Sequence, residues 1–341
     1  LLIWFERKVV AGMQSRVGPD RAGPFGILQT LADAIKLLLK EQILPSKADR
    51  AMYLLAPLIA LVPSFLIFMI IPLGPDITVE WQNALYTIPL VGADLNVGVL
   101  YFLALSSIAV YSVVLAGWSS GSKYPLLGGV RASAQMISYE AAMGLALVPV
   151  ILYSGSLSLV DIVNSQSGNL STSIPILNTI VTFIPKWNIF PQFVAFGIFF
   201  IAAVAEVNRA PFDLVEAEQE LVGGFHTEYS GFRFAMFFLA EYINMFNMCA
   251  ITATFFLGGW LGPTFEGILP PIFSVIMPII WLGVKTFLLL FVFVWIRATL
   301  PRLRYDQLME LGWKRMIPIS LVWLILSAIV LGLREFGLPW S

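Results

Sequence analysis

Residues 205–229 read AEVNRAPFDLVEAEQELVGGFHTEY and separate two long apolar runs, one ending near Glu206 and one beginning near Phe234. The segment holds Glu206, Asp213, Glu216, Glu218, Glu220 and Glu228, with Arg209 as its cation. Glu216 and Glu220 share one helical face at i,i+4 spacing, with Glu218 turned away, and like charges so placed repel. An ordinary solvated acidic loop is one reading; a proton-handling site is the other. The interleaved Pro211, Phe212, Leu214, Leu221, Val222 and Phe225 favour the second, because they bury part of the segment.

The flanks of this segment set the fold class. The chain is 58% hydrophobic and 12% charged over 341 residues, whereas soluble domains carry about a quarter charged residues. Apolar runs of roughly 18–25 residues match a hydrocarbon thickness of ~30 Å. The sequence therefore predicts an all-α polytopic membrane protein forming a single transmembrane domain over residues 1–341. Full spans are expected at about 51–72, 97–118, 132–152, 189–206, 234–258, 272–296 and 316–336. The opening LLIWFERK reads as the tail of a further, truncated first helix, which makes eight transmembrane helices.

Residues 6–50 form an interfacial region. Gly18-Pro19 and Gly23-Pro24 break helices there. Beyond them Ile27, Leu28, Leu31, Ile35, Leu38 and Leu39 interleave with Asp33, Lys36, Lys40 and Glu41, the pattern of an amphipathic helix lying along the membrane surface. Lys and Arg concentrate in the connections 6–50, 119–131, 207–233 and 297–315, whereas the opposite connections carry only Lys186; the acidic loop is taken as 205–233. These basic connections, the acidic segment and the amphipathic helix are therefore placed on the cytoplasmic (or matrix) side, with both termini on the other. The outer connections 73–96 and 153–188 are poor in charge and suggest no function.

One cysteine, Cys249, and one histidine, His226, exclude several chemistries. This chain alone builds no Cys/His zinc site, no thiolate-held iron–sulfur cluster, no bis-His haem and no internal disulfide. No P-loop, GxGxxG or HExxH pattern is present. The sequence thus assigns the chain no metal, and any electron carrier to a partner protein. His226 reads as a packing residue.

Three ionisable residues fall inside spans. Counting from the nearest basic residue at 1.5 Å per residue, Glu140 lies about 13 Å into the membrane, Glu241 about 12 Å and Lys285 about 18 Å. Charges at that depth cost several kcal/mol unless paired or hydrated. A structural Lys285–glutamate pair is the plainer reading. Two glutamates against one lysine leave a carboxylate over, however, a candidate for taking up and releasing protons. Gln135 and Tyr139 beside Glu140, and Asn244 and Asn247 beyond Glu241, are candidates for holding water.

Four long motifs carry a resemblance: FERKVVAGMQSRVGPDRAGPFGILQTLADAIKLLLKE, YPLLGGVRASAQMISYE, AEVNRAPFDLVEAEQELVGGFHTEYSGFRFAMFFLAEY and WIRATLPRLRYDQLMELGWK. Through them nearly the whole chain resembles the family of the quinone-site membrane subunit of respiratory complex I, an NADH-quinone oxidoreductase. The resemblance implies eight transmembrane helices and an amphipathic helix after the first. It implies that quinone, ubiquinone or menaquinone, is the substrate, and that NADH or an equivalent donor supplies electrons. Iron–sulfur clusters and FMN are then expected in partner subunits of the peripheral arm, with antiporter-like subunits as membrane partners. It assigns Arg7, Arg16, Asp33, Phe234 and Phe238 to a quinone passage. It assigns Glu140, Glu206, Asp213, Glu216, Glu218, Glu220, Glu228 and Glu241 to a proton path, with Arg131, Arg209, Lys285 and Arg297 as supporting cations. Phospholipids and a bacterial inner membrane complete the expectation. Two rivals are the membrane subunit of an energy-converting hydrogenase, which uses no quinone, and a stand-alone proton-coupled transporter. The GFHTEYSG and RLRYDQLM segments favour complex I over the former; the lack of a visible repeat weighs against the latter.

Overall fold

A computed structural model describes residues 1–81, 84–168, 185–213, 222–263 and 272–335. The chain begins with a short helix α1 (Leu2–Met13), a 3₁₀ turn at Pro24–Gly26 and the amphipathic α2 (Gln29–Leu39). Long helices α3 (Arg50–Met69), α4 (Gly98–Ser119) and α5 (Lys123–Ser154) follow, then the short α6 (Leu159–Ser165). Next come α7 (Phe193–Glu206), α8 (Gly231–Phe256) and α9 (Ile272–Thr299). At the end α10 (Tyr305–Glu310) runs through a π-helical turn at Leu311–Met316 into α11 (Ile317–Glu335).

The all-α membrane architecture is present. Among the described residues six helices are long and apolar enough to cross a bilayer: α3, α4, α5, α8, Val275–Thr299 within α9, and the continuous Tyr305–Arg334. The two remaining expected spans fall on shorter helices, below the length that crosses a bilayer. Helix α1 has 12 residues and α7 has 14, so α7 reaches only about 21 Å. Two boundaries also differ: α5 begins at Lys123 and takes in Arg131, and the last helix begins at Tyr305, so much of the 119–131 and 297–315 connections is helical. One element has no counterpart in the sequence reading. Residues Ile77–Trp81 and Ala84–Ile88 pair as an antiparallel hairpin, with Ile77 opposite Ile88 and Trp81 opposite Ala84.

Local chemistry explains the helix ends that matter. The Asp49 carboxylate accepts from the Ala51 and Met52 amides at 3.1 and 3.4 Å and caps α3. Gly155 closes α5 in the left-handed conformation (φ 69°). Pro57, Pro63, Pro149 and Pro278 lie inside long helices, as neighbouring helices permit in a membrane protein.

Helices α3, α4, α5 and α7 pack in succession; α8 packs on α3 and α9, and α11 on α5. The main core gathers Phe102, Tyr139, Leu147, Phe199, Phe255 and Phe256. A second, smaller core beside the acidic segment joins Tyr53, Val113, Met136, Phe225, Tyr229 and Phe237. The outer faces are apolar too: Leu321, Val322, Ile325 and Ile329 of α11 are exposed, as a lipid-facing helix requires. Leu28, Leu31, Ile35 and Leu38 of α2 are likewise exposed, consistent with an interfacial helix.

Candidate functional site

The short α7 sets the site. Because the helix stops at Glu206, the following irregular backbone lies inside the bundle, with Val207, Arg209, Phe212 and Asp213 buried. Such backbone survives at this depth only when protein groups satisfy it. The Gln135 side-chain amide of α5 supplies them, donating to the Ala205 carbonyl at 2.7 Å and the Phe212 carbonyl at 2.9 Å. The Leu303 amide donates to the Pro211 carbonyl at 3.1 Å. At the far end of the segment the Tyr53 hydroxyl donates to the Glu228 carbonyl at 2.7 Å, and the Tyr53 and Tyr229 rings stack at 4.1 Å.

Arg209 is the centre of a buried ion cluster drawn from four parts of the chain. Its Nε lies 2.9 Å from Glu241 Oε1 of α8, and its Nη1 lies 3.5 Å from Glu6 Oε1 of α1. Arg297 of α9 also pairs with Glu6 Oε1. The Arg209 guanidinium carbon stands 4.4 Å above the Tyr242 ring, a cation–π contact. Burial works against the Arg209 charge, but Glu241 and then Glu6 outweigh it and hold the group above the usual arginine value. Glu6 is the residue that sequence reasoning missed. It reads as an interface charge at the end of a short apolar run, and nothing local signals that it is only 5% exposed.

Beside this cluster is a cavity of about 60 Å³, room for more than one water. Glu206, Asp213 and Glu241 line it, with Ser112, Asn208, His226 and Asn244. Three of the predicted proton-path carboxylates therefore share one chamber. His226 closes part of the wall, its ring centroid 3.9 Å from that of Phe225 and 5.7 Å from that of Phe237. Burial lowers its pKa to about 3, so it is neutral at working pH and serves as an uncharged wall.

Glu140 of α5 lies on the other side of Glu206. Its Oε1 accepts from Ser107 and, at 3.3 Å, from Ser106, both on α4. Two of the candidate water-holding groups are committed elsewhere. The Tyr139 hydroxyl donates to the Leu308 carbonyl at 2.9 Å, and the Asn247 amide to the Ser64 carbonyl at 2.7 Å. Gln135 braces the acidic segment as described, which leaves Asn244 facing the cavity.

Lys285 departs from expectation. It pairs with no glutamate among the described residues; its ammonium donates to the carbonyls of Leu257 at 2.6 Å and Gly259 at 2.9 Å. The Leu261 carbonyl accepts as well, and the Trp187 ring lies 4.4 Å away. The reason is the irregular backbone that follows the end of α8 at Phe256, whose carbonyls at 257, 259 and 261 belong to no helix and turn to the ammonium. Depth counted along α9 alone gave no hint that a neighbouring helix ends beside Lys285. The Arg131 guanidinium lies 5.1 Å from the centroid of the Tyr305 ring.

Of the residues assigned to a quinone passage, Arg7 lies on α1, Asp33 on α2, and Phe234 and Phe238 on α8; α2 packs against both α1 and α8. Arg7 Nη1 lies 2.6 Å from Asp33 Oδ2, and the Gln29 amide donates to Asp33 Oδ1 at 3.1 Å. Burial pushes the Asp33 carboxyl up, but the Arg7 and Gln29 hydrogen bonds outweigh it and hold the group below the usual aspartate value. The Phe234 and Phe238 rings contact one another at 4.6 Å between centroids, with His226 5.8 and 6.1 Å from them. Arg16 is exposed, its Nε donating to Gln14 Oε1 at 2.6 Å. Glu216, Glu218 and Glu220 lie outside the described residues.

Comparison with known proteins converges on one family. Residues 1–328 match the family described as NADH dehydrogenase. The chain is 52% identical over 328 residues to the H subunit of the NADH-quinone oxidoreductase of Frankia alni, covering 96% of this chain and 68% of that protein. It is 47% identical over 340 residues to the second such H subunit of Koribacter versatilis, covering 97% and 92% of the two chains. It is 51% identical over 321 residues to the second H subunit of Syntrophobacter fumaroxidans, covering 94% and 87%. The chain belongs to this NADH dehydrogenase family, among the H subunits of NADH-quinone oxidoreductase.

Proposed function

We propose that this member of the H-subunit family forms the quinone passage of a proton-translocating NADH-quinone oxidoreductase and starts its carboxylate chain. Its partners are peripheral-arm subunits that carry FMN and iron–sulfur clusters, and antiporter-like membrane subunits. Its place is a bacterial inner membrane. Quinone supplies the redox chemistry, accepting electrons from a partner's terminal cluster. This chain supplies a route and a charge response.

The quinone enters from the lipid between α1, α2 and α8, its isoprenoid tail against Phe234 and Phe238, with the Arg7–Asp33 pair at the mouth and Arg16 outside it. Reduction changes charge near residues 205–229, and the acidic groups respond: Glu216, Glu218, Glu220 and Glu228 in the loop, then Glu206 and Asp213 at the cavity. The response continues to Glu241 and Glu140 inside the bundle. The observation that carries this reading is the cavity shared by Glu206, Asp213 and Glu241 beside the Arg209 ion cluster, which ties α1, the acidic segment, α8 and α9 together.

The test is Phe238→Ala in the assembled complex. Removing a ring from the passage is expected to raise the KM for a long-chain quinone several-fold while NADH oxidation by ferricyanide, which bypasses the membrane arm, stays unchanged. An unchanged quinone KM together with unchanged inhibitor affinity overturns the passage.

A further inference from the structure

A serine inside a helix commonly donates to a carbonyl three or four residues back. Ser64, Ser112, Ser133 and Ser138 do so here. Ser107 of α4 instead donates across the helix interface, to Glu140 Oε1 of α5. Its neighbour Ser106 is also within reach of that oxygen, at 3.3 Å, but lies 2.9 Å from the Leu103 carbonyl. A hydroxyl has one proton to donate, and at Ser106 the shorter contact, within its own helix, takes it. Ser107 is thus the dedicated donor to Glu140. A hydrogen bond to a carboxylate is charge-assisted, roughly twice as strong as a neutral one, and this one forms inside a span, where an unmet carboxylate is costly.

We infer that Ser107 is a positioning residue for proton transfer at Glu140, holding its carboxyl group at one place on α4 in both charge states. A hydroxyl carries one donor and two lone pairs. It donates to the carboxylate, and when Glu140 takes up a proton it turns and accepts from the carboxylic O–H. A lysine, which only donates, would hold the carboxylate alone. Ser107 keeps its own proton throughout. Without it a long, flexible glutamate swings between rotamers; with it the distance a proton crosses to reach Glu140 is the same before each turnover. The inference rests on the carboxylate-chain reading above and deepens it by one residue, which bears no charge and which no count of ionisable groups selects.

The experiment uses the assembled complex in proteoliposomes, comparing Ser107→Ala, Ser107→Thr, Glu140→Gln and the double variant Ser107→Ala/Glu140→Gln. Ferricyanide reduction measures the assembled peripheral arm, and every rate is normalised to it. Misplacing a reacting group by about 1 Å costs on the order of 100-fold, so losing this one tether is expected to lower coupled NADH:quinone turnover roughly tenfold in Ser107→Ala. Ser107→Thr, which keeps the hydroxyl at a half-buried position, recovers most of the rate. In the Glu140→Gln background Ser107→Ala costs nothing further, because the group it positions is gone. A serine that only packs α4 against α5 gives the same loss in both backgrounds. Wild-type turnover and proton yield in Ser107→Ala, equal loss in the Ala and Thr variants, or the same fold-loss with and without the Glu140 carboxyl overturns the inference. Where Glu140→Gln is itself inactive, the pH-induced infrared difference spectrum decides. The Glu140 carboxyl band, identified by its absence in Glu140→Gln, is expected to move in Ser107→Ala, and an unmoved band overturns the inference too. If Glu140→Gln is impaired while Ser107→Ala is not, the positioning role alone falls. If Glu140→Gln is also unimpaired, the carboxylate-chain reading falls with it.

Discussion

Arg209→Met is the perturbation whose cost the structure fixes most directly. The wild-type guanidinium is 3% exposed, 2.9 Å from Glu241 and 3.5 Å from Glu6. Methionine fills much of the volume but supplies no charge. Glu6 keeps Arg297 as a counterion, whereas Glu241 loses its 2.9 Å contact with a cation. Removing one member of a buried ion pair costs about 3–5 kcal/mol, most of it the uncompensated charge left behind. The cluster therefore has a signature beyond simple loss. Adding Glu241→Gln to Arg209→Met removes that anion, so the double variant is expected to be more stable than the sum of the singles by about 2 kcal/mol or more. The assay is reversible SDS-driven unfolding of the purified chain in mixed micelles, with the four proteins of the cycle measured side by side. Additivity within about 0.5 kcal/mol refutes the claim that Arg209 and Glu241 form a coupled buried pair.

Two further predictions concern the loop and the outer end of α8. Burial holds the His226 pKa at about 3, below the ordinary value of 6.5. The folded state thus binds fewer protons than the unfolded state, and the stability tied to the neutral ring is complete above pH 6.5 and lost as pH falls toward 3; His226→Phe is expected to flatten the fall in unfolding midpoint between pH 6.5 and 5, and an unchanged slope contradicts the neutral ring. Lys285→Met leaves the Leu257, Gly259 and Leu261 carbonyls without their donor; deuterium exchange is expected to rise in residues 253–261 and stay unchanged in 205–213, and protection at wild-type level in both segments overturns the capping role.

Residue chemistry read along the chain reached some of this site and missed the rest for identifiable reasons. Asp213, Glu206 and Glu241 are legible because carboxylates amid apolar helices are costly wherever they sit, and the structure puts all three on one cavity. Glu6 and Ser107 are not legible. A glutamate at the end of a short apolar helix looks solvated, and a serine within a helix of 22 residues, Gly98–Ser119, looks like packing. Their roles depend on which residue from a distant helix arrives opposite them. Lys285 is the converse case: its depth is a property of its own helix, but its partners are carbonyls of the segment that follows another.

The sequence by itself determined the membrane class, the rough position of the long apolar helices, and the concentration of carboxylates between two of them. These follow from hydropathy and chain length, which act locally and need no partner. Family membership was legible on the same terms, through four motifs spread along the chain. Only the tertiary structure decided how those carboxylates are used. It stopped α7 short, so that residues 207–213 fold inside the bundle. It also brought Glu6 to Arg209 across about 200 residues of sequence and set Ser106 and Ser107 against Glu140. Charge pairing and proton contact work over a few ångströms, and in a helical membrane protein such distances arise between helices, where spacing along any one helix has nothing to say.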